Sequence, residues 1–86
     1  MHTVELLDQA LRLAERLGFI VRQEWLGGAG GGGCEIKGQK HFFVDLALSP
    51  AEQLDQVAQA IRTAQPIESL PLSPELRRAL QLRKSA

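Results

Sequence analysis

Apolar residues recur at helical spacing near the start of the chain. Val4, Leu7, Leu11 and Ala14, joined by Leu6, Ala10, Leu13 and Leu17, form a stripe broad enough to face a core. Thr3 stands where a cap is wanted, Glu5 suits the positive end of the helix dipole, and Gly18 stands where a left-handed residue ends a helix. The pattern predicts a helix over 4–17. The period then changes. Residues 19–26, Phe-Ile-Val-Arg-Gln-Glu-Trp-Leu, are rich in β-branched and aromatic types and predict a strand. Residues 27–33 are glycine but for Ala29 and predict a flexible loop. A second short strand is expected from Cys34 to Lys37, turning at Gly38-Gln39. A third follows from Lys40 to Leu48, with Phe42, Val44, Leu46 and Leu48 in alternation.

Ser49-Pro50-Ala51-Glu52 has the form of a capping box with proline at the first helical position. Leu54, Val57, Ala58 and Ile61 line one face of the helix it opens, and Pro66 stops it. Residues 67–72 read as extended, running along the sheet edge. Ser73-Pro74-Glu75 starts a last short helix with Leu76, Ala79 and Leu80 on one side, and 83–86 reads as a frayed tail.

The order α-β-β-β-α-α predicts one α+β domain spanning 1–86: a two-layer sandwich with a three-stranded antiparallel β-meander and helices packed on one face. The outer face depends on hairpin register. A two-residue turn puts Cys34 and Ile36 with His41, Phe43 and Asp45; an odd-length loop puts them with Phe42, Val44 and Leu46. The odd loop makes one face uniformly apolar and is favoured by patterning. Glu35, His41, Phe43 and Asp45 then share the outer face. Arg22 and Glu24 join them if Val21 and Trp25 point inward. A solvated face is the plain reading of such a surface; a binding surface or proton-handling site is the functional one.

Size and charge narrow the possibilities. Eighty-six residues leave room for one modest core, and 44% hydrophobic residues argue against disorder. Ten basic residues balance ten acidic ones, so the basic excess of a nucleic-acid binder is missing, and weak self-repulsion permits self-association. The single cysteine excludes an intramolecular disulfide framework. The N-terminus lacks the pattern of a signal peptide, and no apolar run approaches the roughly 20 residues of a membrane span. The expectation is a cytoplasmic protein with no membrane or nucleic-acid partner.

Few residues could carry chemistry. Gly28-Ala29-Gly30-Gly31-Gly32-Gly33 fits G-x-G-x-x-G formally, but a dinucleotide motif must open a helix, and here a strand is expected next. No lysine with Ser or Thr follows to make a phosphate loop. The loop reads as a mobile connection or as a place of close backbone approach by a ligand or partner. Cys34 reads as a buried, inert thiol, or as a nucleophile with His41 as its base. One cysteine, two histidines and scattered carboxylates make a poor metal site. No metal or cofactor is expected. Trp25, beside the glycines, reads as a core residue or as an exposed anchor for a partner.

Val21-Arg22-Gln23-Glu24-Trp25-Leu26, the glycines up to Gly33-Cys34, Gly38 and Phe42-Phe43-Val44-Asp45, with Pro71-Leu72-Ser73-Pro74-Glu75-Leu76-Arg77, resemble a set of small uncharacterised bacterial proteins with a domain of unknown function. Their pattern is V-R-x-E-x-L, a glycine pair before a cysteine, a strand ending in Asp or Asn, and a capped helix. The resemblance covers most of the chain and implies no activity. The architecture is also similar to the core of small zinc metallopeptidases, but the helix from Ser49 to Arg62 has no histidine where theirs carries His-Glu-x-x-His. The order resembles the double-stranded-RNA-binding domain as well, but Ser49 to Gln53 contains no lysine.

The favoured expectation is a small non-catalytic protein-interaction module, binding a second copy of itself or another protein. The alternative is a small-ligand binder or minor enzyme using the glycine loop with Cys34, His41 and Asp45. The candidate binding residues are Arg22, Glu24, Trp25, Gly28, Gly30, Gly31, Cys34, His41 and Asp45.

Overall fold

A computed structural model describes residues 3–29 and 31–82. Met1, His2, Gly30 and the 83–86 tail lie outside the described residues. The elements are α1 (Thr3–Arg16), β1 (Ile20–Glu24), β2 (Gly32–Ile36), β3 (Gln39–Asp45), α2 (Pro50–Ala64), a 3-10 turn (Ile67–Ser69) and α3 (Pro74–Leu82). The chain is α+β, with a layer of helices on a mixed three-stranded sheet.

The local signals act as their chemistry dictates. Gly18 takes φ +100°. Its N–H donates to the Glu15 carbonyl and the Phe19 N–H to the Ala14 carbonyl, both at 3.0 Å, which is the Schellman closure of a helix. At α2 the Ser49 N–H donates to Glu52 Oε1 at 2.9 Å and the Glu52 N–H donates to Ser49 Oγ at 3.2 Å. The capping box is complete.

The sheet is not a meander. Its order is β1-β3-β2, with β1 parallel to β3 and β2 antiparallel to it. Sequential strands usually lie side by side, which is why hairpin reasoning alone puts β2 in the middle. Burial reverses the order. β3 has side chains worth covering on both faces: Phe42 and Val44 are buried, and His41 and Phe43 are half-buried. β2 begins with two glycines and has little to bury, so it occupies the edge. The chain therefore leaves β1, passes the end of β3, and returns through β2.

The core lies between β3 and the helices. Phe42 and Val44 meet the apolar stripes of α1 (Leu7, Ala10, Leu11, Ala14) and α2 (Leu54, Val57, Ala58, Ile61), and Leu76 and Leu80 of α3 extend the same cluster. The segment 67–72, expected to be extended along the sheet, instead starts with the 3-10 turn. Ile67 and Leu70 are both buried, and a three-residue period brings them to one side. Arg77 fastens that turn to α3: its guanidinium donates to the Ile67 carbonyl at 3.0 Å and the Leu70 carbonyl at 2.7 Å.

The β2–β3 hairpin closes through two residues, not an odd number. Ile36 pairs with Gln39, and Lys37 and Gly38 take φ values of 53° and 78°, as a type I′ turn requires. Cys34 and Ile36 thus share the outer face with His41 and Phe43. Glu35, expected there, lies on the helix side opposite Lys40. The preference for a uniformly apolar inner face failed because Gly33 occupies an inner position. A Cβ there would be 3.6 Å from that of Ala60, so α2 itself comes close to this strand.

Candidate functional site

Three regions bring the candidate residues together. On the outer face, the paired positions run in rows across the strands: Ile20, His41 and Cys34; then Arg22, Phe43 and Gly32; then Glu24 and Asp45. Arg22 and Glu24 pair with each other at 3.0 Å, an exposed ion pair of small energetic consequence. The His41 and Phe43 rings stack with centroids 6.2 Å apart and planes 10° from parallel. His41 Nδ1 is covered and makes no hydrogen bond. Cys34, expected to be buried, is exposed, directly opposite His41.

The second region is the crossing over the end of β3. Asp45 is fully buried because the chain from β1 passes over it. Its Oδ1 accepts from the Leu26 N–H at 3.0 Å and the Ala47 N–H at 2.9 Å, and its Oδ2 accepts from the Gly28 N–H at 3.0 Å. A carboxylate out of water is stable when several donors surround it. Asp45 is therefore a fastening between strand and loop. Gly27 and Gly28, with φ of 70° and 83°, give the loop the left-handed backbone this path needs. Gly31 has a different reason to be glycine: a Cβ would collide with the Phe43 carbonyl oxygen. Trp25, expected in the core, stands 74% exposed at the start of the crossing.

The third region is a groove of about 480 Å³ between β2 and α2. Gly31, Gly32 and Gly33 form one wall, and Gln56, Ala60 and Thr63 of α2 form the other. At one end the Gly31 N–H approaches Gln56 Oε1 at 3.4 Å; at the other, Lys40 Nζ lies 5.4 Å from the centre of the Phe19 ring, a cation–π distance. Beside this groove runs the outer edge of β2, and no described strand pairs with it. The type I′ turn fixes which backbone groups face outward. The pair flanking such a turn, Ile36 and Gln39, is hydrogen-bonded across the hairpin, and the pattern alternates from there. Gly32, Cys34 and Ile36 therefore point their N–H and C=O groups at β3, and Gly33 and Glu35 point theirs away.

The structure thus joins Cys34 with His41, and Arg22 with Glu24, on one face. Asp45 and Gly28 meet at the crossing, and Gly31 bounds the groove. Gly30 lies outside the described residues. Sequence reasoning missed Lys40, Gln56, Ala60 and Thr63. Their role depends on β2 being an edge, and the available sign was a glycine run entering the strand with no side chains to bury. Among the described residues, no group of three or more His, Cys, Asp or Glu side chains is placed to hold a metal ion, and no helix is long and apolar enough to cross a membrane. The chain matches no family model, no curated protein and no solved structure.

Proposed function

We propose that this protein is a non-catalytic interaction module that engages a partner by strand addition along the edge of β2. The observation that carries this reading is the unpaired edge beside the groove. Outward N–H and C=O groups at Gly33 and Glu35 offer a hydrogen-bonding template, and α2 stands alongside to receive side chains. An extended segment laid on β2 would satisfy the backbone of both chains, while alternate side chains fall into the groove. The floor offered to them is apolar at Phe19, Ala60 and Ala64, and the rim is polar at Gln56, Gln59 and Thr63 and charged at Glu35 and Lys40, which suits small residues flanked by polar or charged ones. The edge also lacks common protections against pairing. β2 contains no proline and one charged residue, Glu35.

The test is selection from a library of random extended peptides displayed on phage, followed by amide chemical-shift mapping of a selected peptide on the labelled protein. Perturbations are expected along Gly33 to Glu35 and along Gln56 to Thr63. Binding is expected to vanish in Glu35→Pro, which removes an outward N–H and leaves the β3 ladder intact. Perturbations confined to the outer face around Ile20 and Phe43, with Glu35→Pro binding normally, would refute the strand-addition reading.

A further inference from the structure

We infer that the partner of the β2 edge is a second copy of this chain, paired antiparallel about a twofold axis at Cys34. The inference rests on the strand-addition reading and supplies its occupant. Cys34 is the middle residue of the five-residue strand Gly32–Ile36, so a twofold axis there pairs the whole strand with its equivalent. Gly33 then stands opposite Glu35 of the second copy, and Gly32 opposite its Ile36.

Each of these juxtapositions is self-complementary. Gly33 and Glu35 are the residues whose backbone groups point outward, and opposite each other they form hydrogen-bonded pairs on both sides of the axis. Glu35, the strand's only charge, lies directly opposite a glycine; its own copy is a diagonal neighbour on the same face, and each Glu35 stands across the hairpin from its own Lys40. On the outer face Ile36 is 45% exposed, while Gly32 leaves a gap beside the half-buried ring of Phe43. Ile36 of each copy fills the gap at Gly32 of the other and covers Phe43. The formal net charge of zero opposes no self-association. The product is a continuous six-stranded sheet with both helical layers on one side. The two grooves merge along the axis, lined on the α2 side by Gln56, Gln59 and Thr63 and on the strand side by the Glu35 and Lys40 of each copy.

Because the backbone groups of Cys34 point at β3, the two Cys34 residues meet as a non-hydrogen-bonded pair. Cα atoms in such pairs lie about 4.5 Å apart, within the span a disulfide bridges. Diamide is therefore a zero-length probe of the axis. It takes two electrons and two protons from the two thiols, becomes the corresponding hydrazine, and leaves one S–S bond.

The experiment is sedimentation equilibrium of the full chain in reducing buffer, with wild type, Glu35→Pro and Cys34→Arg, followed by diamide treatment of the wild type. A wild-type dimer is expected. Each variant should raise its dissociation constant at least about tenfold, with an unchanged circular dichroism spectrum. Cys34→Arg changes an exposed side chain and opposes two cations at the axis, so it decides the matter if Glu35→Pro fails to fold. Diamide should convert the wild-type dimer to a covalent one. A wild type that stays monomeric up to about 1 mM, well beyond the micromolar range of a typical specific complex, overturns the second-copy partner. The peptide selection then judges strand addition separately. A dimer that Cys34→Arg leaves intact, with no covalent product, also overturns it by placing the interface elsewhere.

Discussion

At the scale of single residues, the clearest result concerns Asp45. A strand-terminal aspartate on the same strand face as a histidine invites a chemical role, yet its carboxylate accepts backbone N–H groups from both sides of the crossing. Asparagine tests whether the second oxygen matters. It keeps one acceptor and places an NH₂ donor against an N–H that had a partner. Asp45→Asn should therefore lose about 1–3 kcal/mol of stability, the cost of a buried donor left unsatisfied. The measurement is urea unfolding, where the midpoint should fall with the slope unchanged. Equal midpoints for the two proteins would show that the carboxylate does not hold the crossing. Trp25 gives the opposite lesson. Its size suggested burial, but it precedes a stretch whose glycines provide nothing to pack against, and it remains outside.

At the scale of elements, α1 and α2 were legible because their signals are local. An apolar period, a capping box and a terminal glycine each act within a few residues, and all are found where the sequence puts them. The strands were legible as strands, but their order was not. Strand order depends on which segment has two faces to bury and on a contact between residues far apart, Asp45 with Leu26 and Gly28. The hairpin register was misread for a related reason. The rule that one face be apolar assumes side chains at every inner position, and Gly33 has none. The third helix shows how a non-local contact fixes a local form. Arg77 donates to two carbonyls of the preceding turn, whereas its neighbour Arg78 is exposed. Arg77→Met keeps most of the aliphatic stem and removes both donors, so it should destabilise by about 1–3 kcal/mol. Arg78→Met should stay within about 0.5 kcal/mol of wild type, as exposed substitutions do. Thermal unfolding of the pair measures the difference, and equal effects would mean that the Arg77 contacts are not formed in solution.

At the scale of the whole molecule, the alternation of backbone groups along β2 joins the fold to its proposed use. One set, at Cys34 and Ile36, belongs to the hairpin whatever the assembly state. The other set, at Gly33 and Glu35, has a partner only when something pairs with the edge. Amide hydrogen exchange reads the two sets apart. In dilute solution Cys34 and Ile36 should be protected, while Gly33 and Glu35 exchange quickly, since an amide without a structural hydrogen bond opens at almost no cost. Raising the concentration should leave the first set unchanged and slow the second, because association stabilises by mass action what it covers. Each possible failure points to a different step. Fast exchange at Cys34 and Ile36 would overturn the register set by the Lys37-Gly38 turn, and with it the choice of outward groups. Protection at those two residues, with Gly33 and Glu35 fast at every concentration, would keep the register and reject pairing between copies. Only slowing confined to Gly33 and Glu35 agrees with a sheet that continues across a twofold axis at Cys34.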